Sequence, residues 1–337
     1  MNPRQILVGV VSILVANAPV QSQYIVSLTP QVDLLTAEAS AKDGQQQEPR
    51  RVNISQLEKS LNAELRNPSL KTQKWYAKGK DYGSDRAVII VIETHDDRMQ
   101  KGVYNPIFDI VSRPKHSLMY GLESVAFTGP VNSRPALESL LSLRAPFNVH
   151  ANFTFEDMLK EDKFAAHIVN SNAVFYGLEN EDYLIEARCV QSLAQSMLKF
   201  FREKFDSGLT EQQQTFLIGN LGFLYGCAKS IELPPYKPEI WQDRNKFQVY
   251  LDALDKVYFR VSNIERSKIF VSNVLTQLDS NLEANRFPNI IAAQVGGLHL
   301  DDMTRTFDSR RISYIFISNP ELDLRVKGFK KILEPYR

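Results

Sequence analysis

The stretch Ala87-Val88-Ile89-Ile90-Val91-Ile92, followed by Glu93-Thr94-His95-Asp96-Asp97, reads as a buried strand with a polar tip. Five of its six apolar residues are β-branched, and the run is shorter than a core helix, so a strand is the better fit. It shows no apolar–polar alternation. Both faces must therefore be covered, which is the pattern of a parallel sheet between layers of helices.

Three more runs have the same character, at residues 118–122, 289–295 and 313–318, and a weaker one lies at 173–176. The chain between about 179 and 282 is helical in period instead. Residues 181–205 put Leu184, Ala187, Val190, Leu193, Ala194, Met197 and Leu198 on one stripe. A second helix is expected over 210–229, with Thr210 as its N-cap. The prolines at 234, 235 and 238 break the pattern, and a long helix or a helix pair is expected over 246–282. The expected fold class is α/β: a mainly parallel central sheet covered by helices, with a large helical middle region.

In parallel α/β sheets, ligands collect at the carboxyl ends of the strands. Those ends are acidic and imidazole-bearing in this chain. The first strand delivers Glu93 and His95, the second delivers Glu123, and the strand at 289–295 runs into Gly296-Gly297-Leu298-His299, with Asp301 and Asp302 beyond. The glycine pair is expected to permit positive φ and a close backbone approach. Singly, each residue has an ordinary alternative, as a helix cap, a turn residue or a solvated carboxylate. Their recurrence at three strand ends points to one shared site. His116, His150 and His167 fall in loops or on a helix-like run and are expected to be structural or exposed.

The pairing of Glu93-Thr94-His95-Asp96 with Gly296-Gly297-Leu298-His299 resembles the superfamily that joins erythromycin esterases, ChaN-like haem-binding proteins, TraB proteins and Tiki proteases. That pattern is an N-terminal GxxH or GExH, an acid after the second strand, an arginine-bearing helix and a C-terminal GxxH. Its roles would fall on His95 with Glu93, on Glu123, on Arg266 in Glu265-Arg266-Ser267-Lys268, and on Gly296 with His299. Ile92 stands where the first glycine would be. The stretch from Val88 to Gln100, with Gly177-Leu178-Glu179 later, is also similar to uncharacterised bacterial proteins that carry a strand, a DAHxxxxxQ-like segment and GxE.

Two hydrolytic routes follow. His95, Glu123 and His299 are candidate ligands for a divalent metal that lowers the pKa of a bound water. Without a metal, His95 would act as general base, Glu93 or Glu123 would orient it, and Arg266 would stabilise developing negative charge. The alternatives are a haem or metal binder without catalysis, as the ChaN-like resemblance implies, or a scaffold that has lost its reaction. The expected partner is a small-molecule or peptide substrate.

With 40 Lys+Arg against 39 Asp+Glu, the chain has no net field that would draw it to nucleic acid. Residues 1–22 read as a signal peptide: Arg4, then an apolar run over 6–16, then Val20-Gln21-Ser22 as a cleavage site. That run of 11 residues falls well short of the roughly 20 a spanning helix needs. Export to a periplasm or medium is therefore expected, with no stable membrane span. Residues 23–51 read as a flexible leader and 52–337 as one α/β domain, of unspecified oligomeric state. Cys189 and Cys227 are compatible with buried thiols or with a bridge.

Overall fold

The computed structural model describes residues 51–66, 70, 74–93, 104–113, 115–126, 167, 170–208, 210, 212, 215, 222, 224–228, 230–235, 237–284, 286 and 288–333. The expected signal peptide and almost all of the leader lie outside the described residues. So do His95, His150 and most of the helix expected over 210–229.

Six strands form one sheet: β1 (Tyr76–Lys80), β2 (Arg86–Glu93), β3 (Met119–Ala126), β4 (Phe175–Glu179), β5 (Asn289–Gly296) and β6 (Ser313–Ser318). Their order is β1-β6-β2-β5-β3-β4. All neighbours are parallel except β1, which runs antiparallel to β6 on the edge. The fold is therefore α/β, as the apolar runs imply. Strand β1 went unread because its sequence, YAKGK, has two lysines and a glycine where an apolar run would be. Those residues suit an edge that must not recruit another strand.

Seven helices are described: α1 (Ile54–Leu65), α2 (Tyr104–Val111), α3 (Glu181–Arg202), α4 (Arg244–Phe259), α5 (Arg266–Glu283), α6 (Leu300–Ser309) and α7 (Pro320–Leu333). Helix α1 starts at Asn53, whose side chain accepts from the Gln56 amide at 2.9 Å. Its Ile54, Leu57, Leu61 and Leu65 recur at three and four residues and are buried on one side.

Strand pleat decides which core each residue joins. Ala87, Ile89 and Val91 of β2 pack with α1 and α2, while Val88 and Ile90 pack on the opposite face with α5 and α6. Both sides of the strand are thus dry, and each buried valine or isoleucine contributes about 1.5–3 kcal/mol of transfer free energy. A third, aromatic cluster of Phe200, Phe201, Trp241, Phe247 and Tyr250 holds the helical middle region together.

The chain expected to be helical over 246–282 is resolved into α4 and α5 joined by a π-turn, Arg260–Glu265. The helix axis is not broken by a loop. Instead the wider turn re-phases the side chains, and Arg266 and Ser267 follow immediately after it. Such π-turns often accompany functional sites.

Register brings the strand-end residues level. Glu93 is paired with Gly296, and Leu122 with Gln294, so the carboxyl ends of β2, β5 and β3 finish side by side. β4 adds Glu179, paired with Ala126 across an irregularity in β3 that begins after Leu122.

Candidate functional site

Glu123, Glu179, Arg266, Ser267 and His299 form one buried polar cluster at this edge. Arg266 is its hub. Its Nε lies 3.1 and 3.3 Å from the two Glu179 carboxylate oxygens. One terminal nitrogen bonds Glu179 Oε1 and reaches Glu123 Oε1 at 3.0 Å, and the other reaches the Ser262 carbonyl at 3.4 Å. The Glu179 and Glu123 side chains are 0% and 2% exposed and that of Arg266 11%, so these are desolvated charges held by a fork of donors. Burial alone would lower the guanidinium pKa, but Glu123 and Glu179 outweigh it and hold it above the ordinary range.

Glu123 has two jobs. Its Oε1 meets Arg266 and lies 3.6 Å from His299 Nε2, while its Oε2 accepts the Gly296 backbone N–H at 2.6 Å. His299 is 3% exposed and stacked at a tilt against Phe270, with ring centroids 4.7 Å apart. Its Nδ1 lies 2.8 Å from Ser267 Oγ. Ser267 Oγ also bonds the Asn263 carbonyl, one helical turn back. A carbonyl only accepts, so the single hydroxyl proton must go to Asn263, and Ser267 is left to accept from His299 Nδ1–H. In the neutral imidazole this places the lone pair on Nε2, facing Glu123.

Glu93 belongs to an adjoining network. Gln294 Nε2 donates to Glu93 Oε2, and Tyr120 donates its hydroxyl to Gln294 Oε1 at 2.5 Å. Burial, with the Glu93 charge adding to it, keeps the Tyr120 phenol protonated far above its usual range.

Of the five residues named from sequence, the structure brings Glu123, Arg266 and His299 into one cluster and sets Glu93 beside it in the strand register. His95 lies outside the described residues. The expected role for Arg266 needs correction: its donors face Glu179, Glu123 and a carbonyl, so it clamps carboxylates rather than standing ready for a developing oxyanion. The reason for the glycine pair also changes. Gly296 has φ −57°, and Gly83 and Gly208 are the described glycines with positive φ. Gly297 is required by packing instead, because a Cβ there would come 2.3 Å from Val326 Cγ2.

Three participants were not assigned from sequence. Glu179 ends a five-residue strand, and its GxE setting was the available signal. Ser267 sits next to Arg266, where nothing in its type announces a histidine partner. Arg188, on α3, is half-buried and bonds Gln191 Oε1 at 2.9 Å. Burial and the nearby Arg266 charge lower its pKa, while Glu179 and Glu123 pull it back up.

Of the three expected metal ligands, Glu123 and His299 are among the described residues and His95 is not. A divalent cation would need at least three converging donors, and no such group of His, Cys, Asp and Glu occurs among the described residues. Arg266 is the cation that lies between Glu123 and Glu179. His299 lies against Ser267, Phe270 and Glu123. His116 and His167 are structural: His116 Nδ1 bonds the Ile110 carbonyl at 2.8 Å, and His167 Nε2 meets Asp109 at 2.7 Å. Among the described residues no helix is long and apolar enough to cross a membrane. No family model, curated protein or solved structure matches the chain.

Proposed function

We propose that the chain is an exported hydrolase of the erythromycin esterase and Tiki type, in which His299 activates water without a metal. The observation that supports this is the buried line Asn263 carbonyl–Ser267–His299–Glu123–Arg266–Glu179. It fixes the imidazole tautomer at one end and pairs buried carboxylates with a guanidinium at the other.

In the reaction, a water near Nε2 gives up its proton to the imidazole as its oxygen attacks the substrate carbonyl, and the imidazolium returns that proton to the leaving alcohol or amine as the acyl C–O or C–N bond breaks. Glu123, 3.6 Å from Nε2, stabilises the imidazolium that forms. Ser267 keeps its bond from Nδ1–H throughout, so the ring need not turn. Arg266 holds Glu123 in place. Glu93, held by Gln294, would orient the water or the leaving group. His95, two positions beyond Glu93, is the second candidate proton carrier. The substrate class is a small-molecule or peptide acyl compound. The signal-peptide-like residues 1–22, with their apolar run over 6–16, support export.

A panel of p-nitrophenyl esters and fluorogenic peptides tests the reading on the full chain. Turnover of at least one compound is expected, falling about 100-fold or more in His299→Gln, the scale of a lost general base. Exhaustive chelation should leave that rate unchanged. No turnover across the panel, or an unaffected His299→Gln variant, rejects hydrolysis at this site. A rate lost to chelation and restored by a metal rejects the metal-free route.

A further inference from the structure

Cys189 and Cys227 are the two cysteines of the chain, and the proposed reaction uses neither. Cys189 lies buried on α3, and Cys227 is half-buried in the helical segment 224–227. Both belong to a small apolar cluster with Ala187, Val190, Ala228, Ile231 and Val261. The two segments are also pinned together beside the thiols, since the Ser230 backbone N–H donates to Glu186 Oε2 at 3.1 Å and its hydroxyl bonds the same oxygen. The two side chains are neighbours in this cluster and hydrogen-bond each other. Burial, with Cys227 adjacent, pushes the Cys189 thiol up to about 12. Cys227 is the more exposed of the two residues, and Cys189 is the buried one.

We infer that Cys189 and Cys227 are a site of reversible disulfide formation, entered through Cys227 by a small-molecule disulfide such as oxidised glutathione. Cys227 loses its proton and attacks one sulfur of the oxidant, whose S–S bond breaks to release one thiol. Cys189 then loses its proton and attacks Cys227 Sγ in the mixed disulfide, releasing the second thiol. Two cysteine thiols are oxidised by two electrons, and one disulfide is reduced to two thiols. The cross-link joins positions 38 residues apart and ties α3 to a cluster that includes Val261, on the π-turn just before Arg266. Closing a loop of that length restricts the unfolded chain and raises stability.

The test is equilibration of the full chain in glutathione buffers of rising oxidised fraction, followed by acid trapping, alkylation of free thiols and mass measurement. Expected is a species lighter by two hydrogens, with no alkylated cysteine and no bound glutathione, reversed by dithiothreitol. Its thermal midpoint should rise by several degrees. Cys189→Ser should instead retain glutathione on Cys227. A wild-type chain that keeps both thiols in excess oxidant, that stops at a glutathione adduct, or whose midpoint does not rise on bridging overturns the inference. The wild-type mass needs no variant to fold, and the outcome is independent of any hydrolytic activity.

Discussion

Ser267 Oγ and His299 Nδ1 lie 2.8 Å apart in the core of the polar cluster, and the serine proton is committed to the Asn263 carbonyl. That one contact orients the imidazole from behind and leaves Nε2 toward Glu123. Nitrogen NMR on histidine-labelled protein should therefore show His299 carrying a proton on Nδ1. Ser267→Ala should mix the two tautomers and lower turnover by an order of magnitude or more, as a wrong tautomer does in serine hydrolases. Ser267→Thr, which keeps the hydroxyl, should restore both signals. A wild-type His299 protonated on Nε2 alone would defeat the assignment.

Arg266 neutralises two carboxylates that are almost fully removed from water, so losing it strands both. Arg266→Met should cost about 3–5 kcal/mol in urea unfolding at neutral pH, the scale for breaking a buried pair from one side. Combining it with Glu123→Gln and Glu179→Gln removes the stranded charges. That triple variant should recover most of the loss while remaining inactive. If Arg266→Met alone unfolds at the wild-type urea midpoint, the clamp contributes nothing to stability.

The sheet was legible because its buried strands are nearly continuous runs of apolar residues, a pattern carried by the strands themselves. Ser313–Ser318 coincides with its apolar run, and β2 and β5 extend theirs by one or two residues. The site was legible only in part, because strand ends announce carboxylates and imidazoles but not their partners. Glu123 and His299 sit where parallel topology gathers ligands. The pairing of Arg266 with Glu179 spans 87 positions and depends on the π-turn that re-phases α5, which leaves no mark on hydrophobic period. Ser267 gives even less signal, since a serine on a helix is commonly solvent-facing or bonded to its own backbone.

His116 provides a pH signature away from the cluster. It is 1% exposed, with Nδ1 on the Ile110 carbonyl and Nε2 3.1 Å from Ser60 Oγ. Burial lowers its folded pKa below the ordinary imidazole value of 6.5, with the Ile110 hydrogen bond and Glu64 opposing the shift. The unfolded chain thus binds this proton more readily than the folded one, so stability is present above 6.5 and falls as pH drops toward the folded pKa. The urea midpoint should decline as pH falls below 6.5 in the wild type, and His116→Gln should flatten that limb. An identical slope in the variant would place the proton uptake elsewhere.

Gly297 joins the polar cluster to the packing beneath it. A Cβ at this position would come 2.3 Å from Val326 Cγ2 and 3.2 Å from Ile92 Cγ2. Neither atom yields easily, because Ile92 is in the central strand and Val326 is β-branched on α7, where one rotamer dominates. Relief must come from moving α7 or lifting the 297–299 turn away from β2. Gly297→Ala should cost about 1–3 kcal/mol by overpacking. It should also impair the site, since Gly296 next to it donates to Glu123 and His299 follows two residues on. Val326→Ala removes the two methyl groups in the way. In a double-mutant cycle the pair should therefore be more stable than the sum of the single changes by 0.5 kcal/mol or more, roughly the scale of direct contacts. Strict additivity in urea unfolding would mean that the glycine is not there to admit Val326, and the need for it would have to lie in the backbone of the turn itself.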